Sequence, residues 1–226
     1  MIARAVLLIA LLLPACRTGG EPARAAPGDS AARPPAVAAD ARPVILFLGT
    51  SLTAGYGLGD QALAYPALIQ AKLDSAGRPF RVVNAGISGE SSAGALDRIE
   101  WLLSRDPVAV LVIETGANDG LRGQNPDSIQ ARIQRIIDRA RSLEAAPRLV
   151  IAGMEALPNL GPVYARRFRA IYPALARAND AVLIPFLLEG VAGVDSLNQA
   201  DGIHPTARAQ RRIAATVWEA LEPLTR

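Results

Sequence analysis

The 226-residue chain has one histidine, one cysteine and one lysine, and each scarcity removes a class of function. A single cysteine, Cys16, closes no internal disulfide. Together with a single histidine it leaves too few nitrogen and sulfur ligands for zinc, so no metal centre is expected. Lys72 is the only lysine, the arginines are scattered, and the formal charge is only +3, which gives no case for nucleic acid as a partner. The Gly-Lys-Ser/Thr ending of a phosphate-binding P-loop is missing. Gly55-Tyr56-Gly57-Leu58-Gly59 does not have the spacing of a dinucleotide fingerprint, so no cofactor is expected either. No apolar run reaches the roughly 20 residues that a bilayer span needs.

What is present begins with an export pattern. Arg4 precedes a short apolar stretch from Ala5 to Leu13, as in a secretory signal. Leu13-Pro14-Ala15-Cys16 then resembles the bacterial lipobox, whose cysteine becomes the lipidated first residue of the mature protein. On this reading residues 1–15 are the signal peptide and Cys16 carries the lipid. Residues 16–42 are rich in Ala, Pro, Gly and Arg without periodicity, and are expected to be a disordered tether. The domain is expected to occupy 43–226. It would sit at the periplasmic face of a bacterial membrane, the outer one because Arg17 rather than Asp follows the cysteine, and otherwise be soluble in the periplasm or secreted.

Half of the residues are hydrophobic, enough for one substantial core. Short apolar runs at Val44–Leu48, Arg81–Asn84, Val108–Glu114, Leu149–Ala152 and Val182–Ile184 read as strands buried on both faces. Helical patterns separate them. One opens at Tyr65-Pro66, another carries Ala95, Ile99 and Leu102, and a third starts at Asn125-Pro126 with Ile129, Ile133 and Ile136. A fourth carries Tyr164, Phe168 and Tyr172, and a last one runs from Pro205 with Ile213 and Val217. Regular alternation predicts an α/β domain with a mostly parallel, five-stranded sheet. Ligands bind such sheets beyond the carboxyl ends of the strands, and the polar, glycine-bearing segments fall there.

His204 stands in Asp201-Gly202-Ile203-His204-Pro205. An imidazole has an unperturbed pKa of about 6.5 and can shuttle protons near neutrality. A carboxylate three residues earlier can hold its second nitrogen. Ser51 follows the first strand at a Gly-rich turn, and His204 is the only imidazole able to take its proton. Gly89 and Asn118 lie after the second and third strands, where a main-chain N–H and a side-chain amide could face a developing oxyanion. Taken singly, each has a structural reading: a turn cap for Ser51, a turn for Gly89, and a local backbone bond for Asn118.

Taken in order, Gly49-Thr50-Ser51-Leu52, Gly89, Gly116-Ala117-Asn118-Asp119 and Asp201-Gly202-Ile203-His204-Pro205 resemble the four blocks of the SGNH (GDSL-type) hydrolases. The flanking Thr53-Ala54-Gly55-Tyr56, Asn118-Asp119-Gly120-Leu121-Arg122-Gly123 and Ala170-Ile171-Tyr172-Pro173 resemble the bacterial thioesterase, lysophospholipase and arylesterase branch. The resemblance implies a flavodoxin-like three-layer α/β/α sandwich. It implies Ser51 as nucleophile, His204 as general base, Asp201 as its orienting residue, and an oxyanion hole from the Ser51 and Gly89 N–H groups and the Asn118 amide. Thr50 stands where the family's name motif has Asp. The order Ser, Asp, His also occurs in α/β-hydrolases, but their G-x-S-x-G elbow is missing. The expected function is a cofactor-free, monomeric serine esterase acting through an acyl-enzyme on small-molecule or lipid esters or acyl thioesters. The acyl group would be received by side chains after Asn118 and around Leu157 to Val163. The rivals are a carbohydrate O-deacetylase on the same fold and a non-catalytic ligand-binding lipoprotein.

Overall fold

The structure, a computed structural model, describes residues 40–226. The expectations for the signal peptide, for Cys16 and for most of the tether lie outside the described residues. Strand β1 (Val44–Gly49) leads into a one-turn helix α1 (Ser51–Ala54), then α2 (Tyr65–Ser75), β2 (Arg81–Gly86), α3 (Ser92–Leu103) and β3 (Val108–Ile113). A second short helix α4 (Ala117–Leu121) precedes α5 (Pro126–Arg141), β4 (Arg148–Ala152), α6 (Gly161–Ala178), β5 (Val182–Ile184) and α7 (Ala207–Leu221).

The five strands lie in the order β2-β1-β3-β4-β5, and every neighbouring pair is parallel. The sheet is thus parallel throughout, and β1 is buried along its whole length, as strands covered on both faces must be. The layers follow from handedness. Connections between parallel strands are right-handed, so a reversal of direction across the sheet puts the next helix on the opposite face. The chain steps one way from β1 to β2 through α2, then the other way through α3, α5 and α6. Accordingly α3 packs on α5 and α5 on α6, while α2 packs on α7. The reversal also opens a crevice between the carboxyl ends of β1 and β3, where ligands bind in such sheets.

Local chemistry sets the helix ends. The Asn125 side chain accepts from the Asp127 N–H, and Pro126 occupies the first turn of α5, whose last turn carries Arg139 and Arg141 against the negative end of the dipole. The Thr206 hydroxyl caps α7, so that helix starts at Ala207; Pro205, expected inside it, instead pairs with Asn198 in a one-residue bridge. The core joins the aliphatic strands to Tyr65, Phe168 and Tyr172, all essentially inaccessible to solvent. Phe47 and Tyr65 meet edge to face at 5.5 Å between ring centres.

Candidate active site

Two segments from distant parts of the chain meet at the crevice. Ser51 is the first residue of α1, directly after β1. His204 and Asp201 sit together in the loop between β5 and α7. The His204 Nε2 lies 3.0 Å from the Ser51 Oγ, and its Nδ1 lies 2.6 Å from the Asp201 Oδ2. The other oxygen of Asp201 accepts the backbone N–H groups of Ile203 and His204, each at 2.9 Å. The His204 N–H first, then the imidazole and the Ile203 N–H, hold this carboxyl down at about 2, although it is largely exposed. It is therefore ionised throughout the neutral range. With Nδ1–H donated to a carboxylate, Nε2 is left as an acceptor toward the serine hydroxyl.

The residues expected to bind an oxyanion are also brought in. Gly89 adopts φ +78°, a region that costs a side-chain-bearing residue strain, and a β-carbon built on it would meet nothing within 4 Å. The main chain is therefore open to a ligand there. Among the described residues, no acceptor is paired with the Ser51 or Gly89 N–H. Asn118 donates one amide hydrogen to the Glu90 carbonyl at 3.0 Å, which fixes the plane of the amide beside the cleft. The Gly89 loop is pinned in turn. Arg98 pairs with Glu90 at 2.7 Å and donates to the Ala85 carbonyl at 2.6 Å, while Arg122 donates to the Gly89 carbonyl at 3.0 Å. Asp119, fully buried, accepts from the Ser92 N–H and hydroxyl, each at 2.7 Å, and so fastens the Asn118 segment to α3.

A second buried cluster, not expected from the sequence, lies behind the nucleophile. Glu114 ends β3's apolar run and has no solvent exposure. It accepts from the Thr50 N–H at 2.8 Å, the Thr50 hydroxyl at 2.9 Å and the Thr53 hydroxyl at 2.8 Å. Because Thr53 uses its proton there, the Tyr65 hydroxyl, 2.6 Å away, is the donor to Thr53. Burial pushes the Glu114 carboxyl up, against the opposing pull of the Thr50 and Thr53 donors. Thr50, in the motif position usually held by Asp, thus bonds this buried carboxylate through both its N–H and its hydroxyl. The sequence signal was available, since a carboxylate closing six consecutive apolar residues of a buried strand requires partners.

The cleft beside these groups has a volume of about 830 Å³. Its apolar lining includes Leu52, Leu121, Met154, Leu157, Phe186 and Leu188. Leu121 and Leu157 were expected from the sequence. Val163 was expected too, but it is exposed and does not line the cleft, because α6 carries it outward from its first turn. Phe186 and Leu188 come from the irregular segment after β5, where no periodicity announces a pocket. No cluster of potential metal ligands is found among the described residues.

A model of the GDSL-like lipase/acylhydrolase family matches residues 47–212. The chain is 43% identical over 180 residues to the esterase TesA of Pseudomonas aeruginosa, spanning 80% of this chain and 88% of that protein. It is 39% identical over 189 residues to thioesterase 1/protease 1/lysophospholipase L1 of Escherichia coli, spanning 84% and 86%. Among solved structures, the psychrotrophic esterase EstA from Pseudoalteromonas sp., inhibited by monoethylphosphonate, aligns with a TM-score of 0.75 at 32% identity, over 80% of this chain and 97% of that one. With its all-parallel sheet and its sequence agreement over most of the domain, the chain belongs to the GDSL-like lipase/acylhydrolase family and is a serine ester hydrolase of the SGNH type.

Proposed function

We propose that Ser51 is the nucleophile of this esterase, His204 its general base and Asp201 the residue that orients the base. The observation that carries the proposal is one imidazole bridging a carboxylate at 2.6 Å and a serine hydroxyl at 3.0 Å. Nε2 takes the Ser51 proton as Oγ attacks the acyl carbon. The carbonyl oxygen becomes an oxyanion that accepts from the Ser51 N–H, the Gly89 N–H and the Asn118 amide. Collapse expels the alcohol or thiol, which receives the proton from Nε2, and leaves an acyl-enzyme. Water then attacks the ester carbon through the same base, and the acid departs with Ser51 restored. Every step uses groups of this chain, and no cofactor takes part.

The substrates we propose are carboxylic esters and acyl thioesters with an apolar acyl chain of appreciable length. The cleft, at about 830 Å³, is in the upper part of the range that holds drug-sized ligands, far more than an acetyl group needs. Exposed apolar side chains also ring its end of the sheet: Tyr56 after β1, Ile87 after β2, Leu121 after β3, Leu157 after β4, and Val194 and Ile203 after β5. Both features favour a lipid-like ester over the acetylated sugar that the O-deacetylase reading requires. The names thioesterase and lysophospholipase borne by the Escherichia coli relative point the same way. Screening p-nitrophenyl esters and acyl-CoAs of graded chain length tests the reading. Turnover that rises from acetyl toward longer chains is expected, and activity confined to acetyl esters would overturn it.

We propose further that residues 1–15 are a signal peptide, that Cys16 is lipidated, and that 16–42 tether a monomeric domain of 43–226 to the periplasmic face of a membrane, the outer one in a two-membrane cell. Acyl chains contribute about 0.8 kcal/mol per buried CH₂, so several together give stable anchoring. Cys16→Ser should block processing or release the protein from membranes while the freed domain keeps its activity. Wild-type protein found soluble in the periplasm without a lipid would refute the anchor alone.

A further inference from the structure

The Asp201–His204 pair rides on a small, partly exposed loop, and what holds that loop against the nucleophile is not part of the reaction itself. The loop is closed on its own backbone. Gln199 N–H donates to the His204 carbonyl at 2.7 Å, Gly202 N–H to the Gln199 carbonyl at 2.9 Å, and Thr206 N–H to the Leu197 carbonyl at 2.9 Å. The bonds from Asp201 to His204 are likewise internal to it. The loop therefore moves as a unit, and its position sets the 3.0 Å distance from Nε2 to the Ser51 Oγ.

Besides that catalytic contact, one hydrogen bond joins residues 198–206 to the segment that follows β1. The Gln199 carboxamide donates to the Tyr56 carbonyl, 143 residues away in sequence, at 2.7 Å. Its second hydrogen goes to the Pro205 carbonyl at 3.1 Å, on the loop itself. Two carbonyl acceptors fix which end of the amide carries the nitrogen. The same contact explains Gly57, which has φ +73° and lies under the carboxamide: a β-carbon there would come within 2.1 Å of the Gln199 Oε1. Tyr56 completes the junction, its ring 4.5 Å from the imidazole between centres and tilted by 43°.

We infer that Gln199 is a positioning residue of the reaction, a brace that locks the loop carrying the base onto the turn carrying the nucleophile, with Gly57 as its seat and the Tyr56 ring packed on the imidazole. The inference rests on the Ser51–His204 reading above. A brace of this kind acts on the distance across which the proton moves, whereas the apolar walls at Leu121, Met154, Leu157, Phe186 and Leu188 and the oxyanion donors belong to other segments. Losing it should therefore lower kcat and leave KM alone.

The test uses tag-free protein, in which His204 is the only imidazole, so that its ring nitrogens are read by ¹⁵N-labelled NMR without assignment. Gln199→Met keeps the length of the side chain and removes both donors; Gly57→Ala displaces the carboxamide from the opposite side and leaves the sequence of the loop unchanged. Both should lower kcat and the rate of fluorophosphonate labelling together by about 10–100-fold, as misplacement of reacting groups by an ångström does, with KM within about twofold. The downfield Nδ1 proton bonded to Asp201 should persist, because that bond is internal to the loop, while the Nε2 resonance shifts or broadens. Turnover and labelling within about twofold of wild type for Gln199→Met would overturn the brace. So would a loss of the Nδ1 signal, which would mean that the loop itself had come apart. Ser51→Ala and His204→Ala are run beside them. If these retain turnover, the triad reading has failed; if they are inactive while Gln199→Met is not, only the brace has failed.

Discussion

Asn118→Ala separates two jobs done by one amide. One hydrogen of Nδ2 is bonded to the Glu90 carbonyl at 3.0 Å, and the other is available to the cleft. Removing the amide leaves the Glu90 carbonyl without this donor, which costs about 1 kcal/mol of folding stability, since a side-chain hydrogen bond contributes roughly that much net. The loss at the transition state should be larger. A donor aimed at a developing oxyanion acts where solvent is partly excluded, and deleting one typically lowers kcat by about 10²–10³, or roughly 2.7–4 kcal/mol. The carbonyl of the bound ester is a much weaker acceptor than the oxyanion, so KM should change little. The assay is steady-state hydrolysis of a p-nitrophenyl ester by wild type and variant, with thermal denaturation measured alongside. A rise in KM at constant kcat would show that Asn118 binds substrate and would refute its place in the hole. A loss of kcat fully matched by unfolding at the assay temperature would refute the separation of the two jobs.

Asp201→Asn should lower kcat by up to about 10⁴, because the amide cannot hold the tautomer that leaves Nε2 free. Since Asp201 is held down at about 2, the acid limb of the wild-type activity profile should report the imidazole alone; a second inflection in the carboxylate range would contradict this. Glu114→Gln should fold, and its stability should gain on wild type as pH rises. A carboxyl raised by burial holds its proton to a higher pH in the fold than in the unfolded chain, which releases it above about 4.3, so stability falls from there through the higher native value, and glutamine removes that dependence. A difference in Tm between the two proteins that is constant from pH 5 to 8 would oppose the reasoning. Gly116→Ala should destabilise the domain by about 1–3 kcal/mol, the usual cost of a strained backbone, because the residue sits at φ +100° with the Tyr172 hydroxyl 2.8 Å from any added β-carbon. Urea unfolding measures it, and an unchanged midpoint would mean the turn relaxes.

Most of the fold was legible because its signals are local. A buried parallel strand such as Val108–Ile113 is a continuous apolar run, and an Asn-Pro cap with isoleucines at helical spacing leaves little choice for α5. The helices α1 and α4 were not legible, since four and five residues are too few to show a period. Ser51, Gly89, Asn118, Asp201 and His204 were found as ordered blocks around the one imidazole, and the fold places them together. Glu114 and Gln199 were missed for a different reason. Their partners are 64 and 143 residues away, and nothing local to either names the Thr50 N–H or the Tyr56 carbonyl. The cleft walls at Phe186 and Leu188 come from irregular chain, where hydrophobicity carries no direction.

Fluorophosphonate labelling followed by peptide mapping addresses the central claim most directly, because the phosphonyl group marks a serine whose hydroxyl is activated by a neighbouring base. The account predicts one adduct, on Ser51, absent from Ser51→Ala and strongly suppressed in His204→Ala while both proteins stay folded. An adduct on another serine, or labelling of Ser51 at the wild-type rate without His204, would contradict it.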